Sequence, residues 1–505
     1  MQDEKKIPII VGVTGHRQYN CMNDEKVLSL IRDELKRVKK MCPNSPLVML
    51  SSLADGADRQ CAKIALEEGY SLIAALPMEK GSFKEDFSKE SSEEFEEYLS
   101  KADDVFTVPE TEPHKEGRDH LYRQADIYIA SHCHMLIAIW DGEKPVEGGC
   151  GTAETVDMRL NNSFISLEER NIGPSNGYVS HIVVSRADDK EFAPRLEFKG
   201  DKAAFETVMK KTDEFNKEAD LTDAKDRLSA ADNVSILNQK RSGSVLFWIA
   251  VLATALTTAF LLYDEASLHM LILACGVMIV FLFIIVRVAE RNRYLLKYLE
   301  ARVLAEALRI GEYMDKRSSV CPSDLFTWSM WTDNPWVGWA VRAIHVVEQK
   351  KGPIGTGKEY IESQRKYHEK TLKRVEKKNR TNGAILLTAL IITILSYVVA
   401  LVFEITAGGL FTGNALMSVD KLEFYRAVLK IVMGVMSAAT LFVGNYYGKL
   451  SMEEEADDHK RMILLFENAK SEYGEELSYK LIREILGENA RWYSYKSRGK
   501  AEVSL

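Results

Sequence analysis

The stretch MLIAIWDGEKPVEGGCGTAETV, residues 135–156, decides how the first part of this chain is read. It opens with an apolar run, passes through a turn carrying Gly148, Gly149 and Gly151, and enters what reads as a helix at Thr152. A run that is apolar throughout, with no polar alternation, suits a strand in a parallel sheet covered on both faces. Further short apolar runs lie at 7–13, 47–50, 72–76, 105–108 and 181–185. Helical spacing separates them, in Val27, Leu28, Ile31, Leu35 and Val38, and again over 57–68 until Gly69 stops it. Alternating strands and helices predict a doubly wound, Rossmann-like α/β domain over 1–200, with its ligand crevice at the carboxyl ends of the strands.

Three loops follow strand candidates. GVTGHR, 12–17, offers Gly12, Thr14 and Gly15 as small turn residues, then His16 and Arg17 beside the crevice. Backbone N–H groups at such a turn attract anions, and Arg17 can grip a phosphate with two parallel bonds. SLADGAD, 52–58, holds Gly56 for close approach, with Asp55 and Asp58 able either to cap a helix or to accept ribose hydroxyls. In GGCGTAE, Gly148, Gly149 and Gly151 let a ligand lie against the backbone, while Thr152 adds a hydroxyl where the helix dipole favours negative charge.

These three motifs, in this order and separated by strand–helix units, resemble the SLOG superfamily, which includes LOG-type nucleotide phosphoribohydrolases and DprA-like proteins. The similarity covers roughly residues 7–190. LOG enzymes carry Pro-Gly-Gly-x-Gly-Thr-x-x-Glu, whose glutamate acts with an upstream arginine on the N-glycosidic bond. Here the glycines and threonine match Gly148, Gly149, Gly151 and Thr152, but Glu147 stands at the proline position and Thr155 at the glutamate position. Glu154 is one place early, which on a helix turns a side chain by about 100°. Arg118 and Arg123 are the upstream arginine candidates; no catalytic residue is assigned, Glu154 and Arg123 standing only as candidates. A threonine hydroxyl neither stabilises a sugar cation nor activates water well, so the resemblance implies ligand sensing ahead of turnover.

Four apolar stretches, 245–263, 270–286, 383–403 and 431–447, are about as long as a bilayer core requires, roughly 20 helical residues. The last is weakened by Asn445. Lys240 and Arg241, Arg287, Arg291 and Arg293, and Lys377, Lys378 and Arg380 flank the first three, so those ends are expected in the cytoplasm. The expected plan is a multi-pass inner-membrane protein with both termini inside. Its parts are a nucleotide-binding domain at 1–200, a connecting helix at 201–244, hairpins at 245–287 and 383–447, a cytoplasmic helical insert at 288–382 and cytoplasmic helices at 448–505. The spans with YLEARVLAEALRIGEYM, PWVGWAVRAI and LGENARWY are similar to the SLATT group of bacterial membrane domains. SLOG domains joined to such spans imply a conflict-system effector: a nucleotide-derived signal, such as a cyclic ADP-ribose derivative, would trigger membrane permeabilisation.

A net charge of −8, with no basic arm, argues against nucleic acid as a partner. Seven cysteines without a CxxC pair fit free thiols in a reducing compartment. No cofactor or metal is expected. His132 and His134 would point opposite ways on a strand, and GPIGTGKE at 352–359 places Glu359 where a P-loop needs Ser or Thr. Trp328, Trp331, Trp336 and Trp339 suit either a membrane-interface belt or ordinary packing. The expected partners are a nucleotide-derived ligand, the lipid bilayer and further copies of the chain. The alternatives are a membrane-anchored nucleotide hydrolase of LOG type, in which Glu154 or a nearby acid has taken over, and a constitutive transporter, which the scarcity of ionisable residues in the spans disfavours.

Overall fold

The computed structural model describes residues 4–19, 24–110, 117–144, 151–161, 177–186, 192–266, 268–408, 416–449, 452–472 and 477–498. One sheet holds β1 (Ile9–Gly15), β2 (Leu47–Ser51), β3 (Ser71–Leu76), β4 (Asp104–Thr107), β5 (Met135–Trp140), β6 (Tyr178–Val183) and β7 (Arg195–Gly200). Its order is β4-β3-β2-β1-β5-β6-β7, parallel except where β7 runs antiparallel to β6. Ile9 sits opposite Leu47 and Val11 opposite Met135. Strands are added outward from β1 as far as β4, after which the chain returns to place β5 on the other flank of β1. The reversal of order therefore falls between β1 and β5, where doubly wound sheets open a crevice.

The helices around this sheet are α1 (Glu25–Met41), α2 (Ala57–Glu67), α3 (Lys80–Lys84), α4 (Lys89–Lys101), α5 (Arg118–His132), α6 (Thr152–Asn161) and α7 (Lys202–Ala219). Asp24 starts α1 by accepting from the Lys26 N–H, and its apolar stripe buries Val27, Ile31 and Leu35. Successive strand residues face opposite ways, so Ile9, Val11 and Val13 join that stripe, while Ile10, Leu50 and Leu136 pack with Tyr128 and Ile129 of α5. Burying each such side chain contributes roughly 1.5–3 kcal/mol. Apolar residues on both faces are what a covered parallel sheet requires, and the runs read from sequence fall on β1 to β6. The strand β7, RLEFKG, carries no such run because it is an edge strand with exposed positions.

The chain divides into two compact units. The first comprises residues 1–235, 300–360 and 473–493, so residues 300–360 of the helical insert belong with the sheet. The remaining helices are α8 (Arg227–Glu265), α9 (Leu271–Asn292), α10 (Tyr294–Tyr313), α11 (Trp328–Asp333), α12 (Pro335–Val347), α13 (Gly357–Thr406), α14 (Val419–Lys449), α15 (Met452–Glu472) and α16 (Tyr479–Arg498). Ala343 and Val346 of α12 enter the core beneath α5. Arg342 is buried, donates to the Ser131 carbonyl at 3.0 Å and pairs with Asp324 at 3.1 Å. Trp331, Trp336 and Trp339 are buried within this unit, while Trp328 is exposed. Glu359 accepts from the Thr356 N–H at 2.9 Å while Thr356 Oγ1 accepts from the Glu359 N–H at 3.3 Å. GPIGTGKE is thus the capping box of α13. His132 ends α5 and His134 precedes β5, so neither lies on a strand.

The second unit comprises 236–299, 361–472 and 494–505. The apolar stretches fall on α8, α9, α13 and α14, and among the described residues four helical segments are long and apolar enough to cross a bilayer. Side chains such as Phe281, Leu401 and Leu441 are exposed along them, as expected where lipid replaces a protein core. Small and hydroxyl residues make the helix contacts. Thr393 Oγ1 lies 3.0 Å from Thr440 Oγ1 and 3.2 Å from the Met436 carbonyl, and a Cβ on Gly434 would stand 2.6 Å from Leu261. Near the helix ends Arg426 grips Glu404 with bonds of 2.7 and 2.6 Å, and Lys430 pairs with Glu265 at 3.0 Å.

Candidate functional site

Two of the three turns are locked together by glycine. At the end of β1, a Cβ on Gly15 would come within 2.3 Å of Ala57 Cβ and 2.8 Å of the Ile139 carbonyl. Gly56 has φ +81°, and a Cβ there would lie 2.3 Å from the Arg17 carbonyl. Between them the Ala57 N–H donates to the His16 carbonyl at 3.2 Å and the His16 N–H to the Ile139 carbonyl at 2.9 Å. The turn after β1 is thus wedged between β5 and the start of α2, at the reversal of strand order. Leu53 is held at φ +59°, a conformation costing a non-glycine residue roughly 1–2 kcal/mol. Gly12 sits inside β1, where its lack of a side chain admits Ile129 of α5 and Cys133 just beyond it, and Thr14 is buried in the same strand.

Charged groups line this crevice in three sets. His16 Nε2 lies 3.1 Å from Asp141 and 3.0 Å from Arg186 Nε, joining the ends of β1, β5 and β6. Burial, with Arg186 beside it, pushes His16 below the ordinary imidazole range despite Asp141. For Asp141 burial acts upward, but the Glu143 amide, His16 and Arg186 outweigh it and hold the carboxyl below its usual range. Arg17 is exposed, stacks 5.1 Å from the Tyr122 ring centroid and makes no ion pair among the described residues. Asp86 accepts from the Tyr122 hydroxyl and pairs with Arg118 at 2.8 Å. Asp55 is committed elsewhere, to Arg59 at 2.9 Å and to the Ser91 hydroxyl.

The third set is acidic. Asp58 is 5% exposed and accepts from Ser52 at 2.8 Å and Ser51 at 3.3 Å. Burial raises it to about 6, with the two serines and Arg17 opposing. Asp126 of α5 retains partial exposure and is raised to about 7 by burial and by the charge of Asp58, although it bonds Thr155. The Thr155 hydroxyl lies 3.0 Å from the Gly151 carbonyl. Arg123 pairs with Glu154 at 2.9 Å, and Glu154 Oε2 has no partner among the described residues.

The structure therefore brings His16, Arg17, Gly56, Asp58, Gly151, Thr152, Glu154 and Arg123 to the strand ends and to the α5–α6 contact that adjoins them. Glu147, Gly148 and Gly149 lie outside the described residues. No group of three possible metal ligands occurs among the described residues. Asp126, Asp141, Arg186 and Tyr122 also reach this site and belong to none of the three sequence motifs. Asp141 is the first residue after β5, a position the fold itself marks. Asp126 lies one helical turn from Arg123 in the otherwise apolar ADIYIA, and an acid in such a run is the available signal. No family model and no curated protein sequence matches the chain.

Proposed function

We propose that the α/β unit is a SLOG-like sensor that binds a nucleotide-derived anion across the turns at 12–17, 55–58 and 148–152, and that the apolar helices answer by permeabilising a bacterial inner membrane during antiphage defence. The observation that carries this reading is Arg17, an exposed guanidinium without an ion pair among the described residues, held at the reversal of strand order. Phosphates would meet backbone amides of these turns and Arg17. The ligand would shift the equilibrium only by its difference in affinity for two arrangements of subunits or helices. Both termini would lie in the cytoplasm, and several copies would assemble, since four spans enclose little space alone. A cyclic ADP-ribose derivative is the signal the resemblance implies. In the test, purified protein in dye-loaded liposomes is exposed to such nucleotides. Ligand-dependent leakage that Arg17→Ala removes is the expected result, and leakage indifferent to every nucleotide refutes gating.

A second reading rests on Asp126. Its carboxyl bonds Thr155, which stands where the LOG pattern has glutamate, and it holds its proton near neutral pH, as a general acid needs. The chain would then hydrolyse an N-glycosidic bond. Incubation with nucleoside monophosphates and NAD derivatives, assayed for free base, separates the readings: base release lost in Asp126→Asn supports hydrolysis, and an intact ligand supports sensing.

A further inference from the structure

Within the first unit, a cavity of about 270 Å³ is lined by Arg159 of α6, His134 before β5, Tyr178, Phe205, and Trp331 and Trp339 of α11 and α12. It lies at the amino ends of β5 and β6, opposite the crevice described above. Among the described residues none of its lining side chains is acidic. Arg159 is 4% exposed, its Nη2 donates to the His134 carbonyl at 2.8 Å, and its guanidinium lies 4.4 Å from the Trp339 ring centroid. No carboxylate pairs with it among the described residues; the neighbouring charge is another cation, Arg342, and burial pushes the guanidinium below its ordinary range. Burying a cation without a counter-charge is costly, which makes the pocket attractive to an anion.

The hydrogen-bond inventory has the same sign. His134 Nδ1 accepts from the Ile10 N–H at 3.1 Å, so in the neutral ring the proton is on Nε2. Burial and Arg159 keep that ring neutral, at about 3. The Nε2–H of His134, the Nε–H of Arg159 and the Nε1–H of Trp331 are all buried, and none has a partner among the described residues. All are donors. Buried donors are rarely left unmade, and an acceptor with negative charge would satisfy them. The indole, phenol and phenyl walls meanwhile suit a flat apolar body.

We infer that this cavity is a second binding site, for a small planar aromatic molecule bearing one anionic group, carboxylate or phosphate, whose oxygens meet Arg159, His134 and Trp331 while its ring lies against the aromatic walls that Tyr178, Phe205 and Trp339 supply. The test uses the full-length protein in detergent micelles and ligand-observed NMR titration with benzoate, phenyl phosphate and, as the uncharged control, indole. Saturable binding of an anionic probe is expected, at least about tenfold tighter than indole, and the tighter of the two anions identifies the group. Arg159→Met should weaken the anion about tenfold or more. Should that variant fail to fold, Trp331→Phe removes one donor while keeping an aromatic wall, and should weaken the same probe by about threefold. Arg17→Ala should leave the affinity unchanged. Equal affinity for indole, no saturation at millimolar concentration, or wild-type affinity in both the Arg159→Met and Trp331→Phe proteins overturns the assignment, as does loss of binding in Arg17→Ala.

Discussion

Replacing Asp126 by asparagine tests the acidic pair at its more exposed member. The carboxyl is raised from 3.8 to about 7 by burial and by Asp58. That is about three units, a ceiling of about 4 kcal/mol at 1.36 kcal/mol per unit. Asp58 shares the effect and Asp126 keeps some contact with solvent, so about 2 kcal/mol is expected from removing one charge. The sign follows from proton binding. Between the unfolded value and about 7 the folded chain holds a proton that the unfolded chain has released, so this group's contribution to stability falls as pH rises through that window. Asp126→Asn removes the penalty. At pH 8 the variant should be the more stable by about 2 kcal/mol, roughly 3 °C in Tm for a unit of this size, and the gain should vanish as pH approaches 4. Tryptophan fluorescence during heating is a suitable assay, because of the seven tryptophans only Trp248 lies in the second unit. A variant less stable than wild type at pH 8, or a difference unaltered between pH 8 and pH 5, refutes the reasoning.

Gly56→Ala forces a side chain into φ +81° and against the Arg17 carbonyl, and should cost roughly 2–4 kcal/mol, seen as a lower Tm. Arg342→Leu leaves the Asp324 carboxylate buried without its arginine and should destabilise the first unit by about 3–5 kcal/mol in denaturant titration. Thr393→Val removes the hydroxyl shared with Thr440 and Met436 and should cost only about 0.6 kcal/mol in detergent unfolding, since both helices find other partners in the unfolded reference.

Why some of this architecture is readable from sequence and some is not has physical causes. Ile9 to Val13 and Met135 to Trp140 announce themselves because a parallel strand buried on both faces tolerates no polar residue. Arg195 to Gly200 satisfies only one neighbour and meets solvent, so its composition carries no trace of its pairing with β6. The glycines of the first two turns signal a tight crossing of backbones, but the sequence does not say whether a ligand or another loop makes the close approach; at Gly56 it is the Arg17 carbonyl. The attachment of α12 to α5 depends on Arg342 meeting Ser131, a contact between residues far apart in the chain that no local pattern encodes. Asp126 was hidden for the opposite reason: its meaning lies in Asp58 and Thr155, which approach it from other elements.

The helix α6 begins at Thr152, beside the third turn, and carries Arg159 two turns later in the wall of the aromatic cavity. At 1.5 Å per residue it is a strut about 15 Å long, too short to flex appreciably. A guest that tilts this strut from one end therefore does work at the other, and the ledger must balance in both directions: whatever factor the first guest imposes on the second, the second imposes on the first.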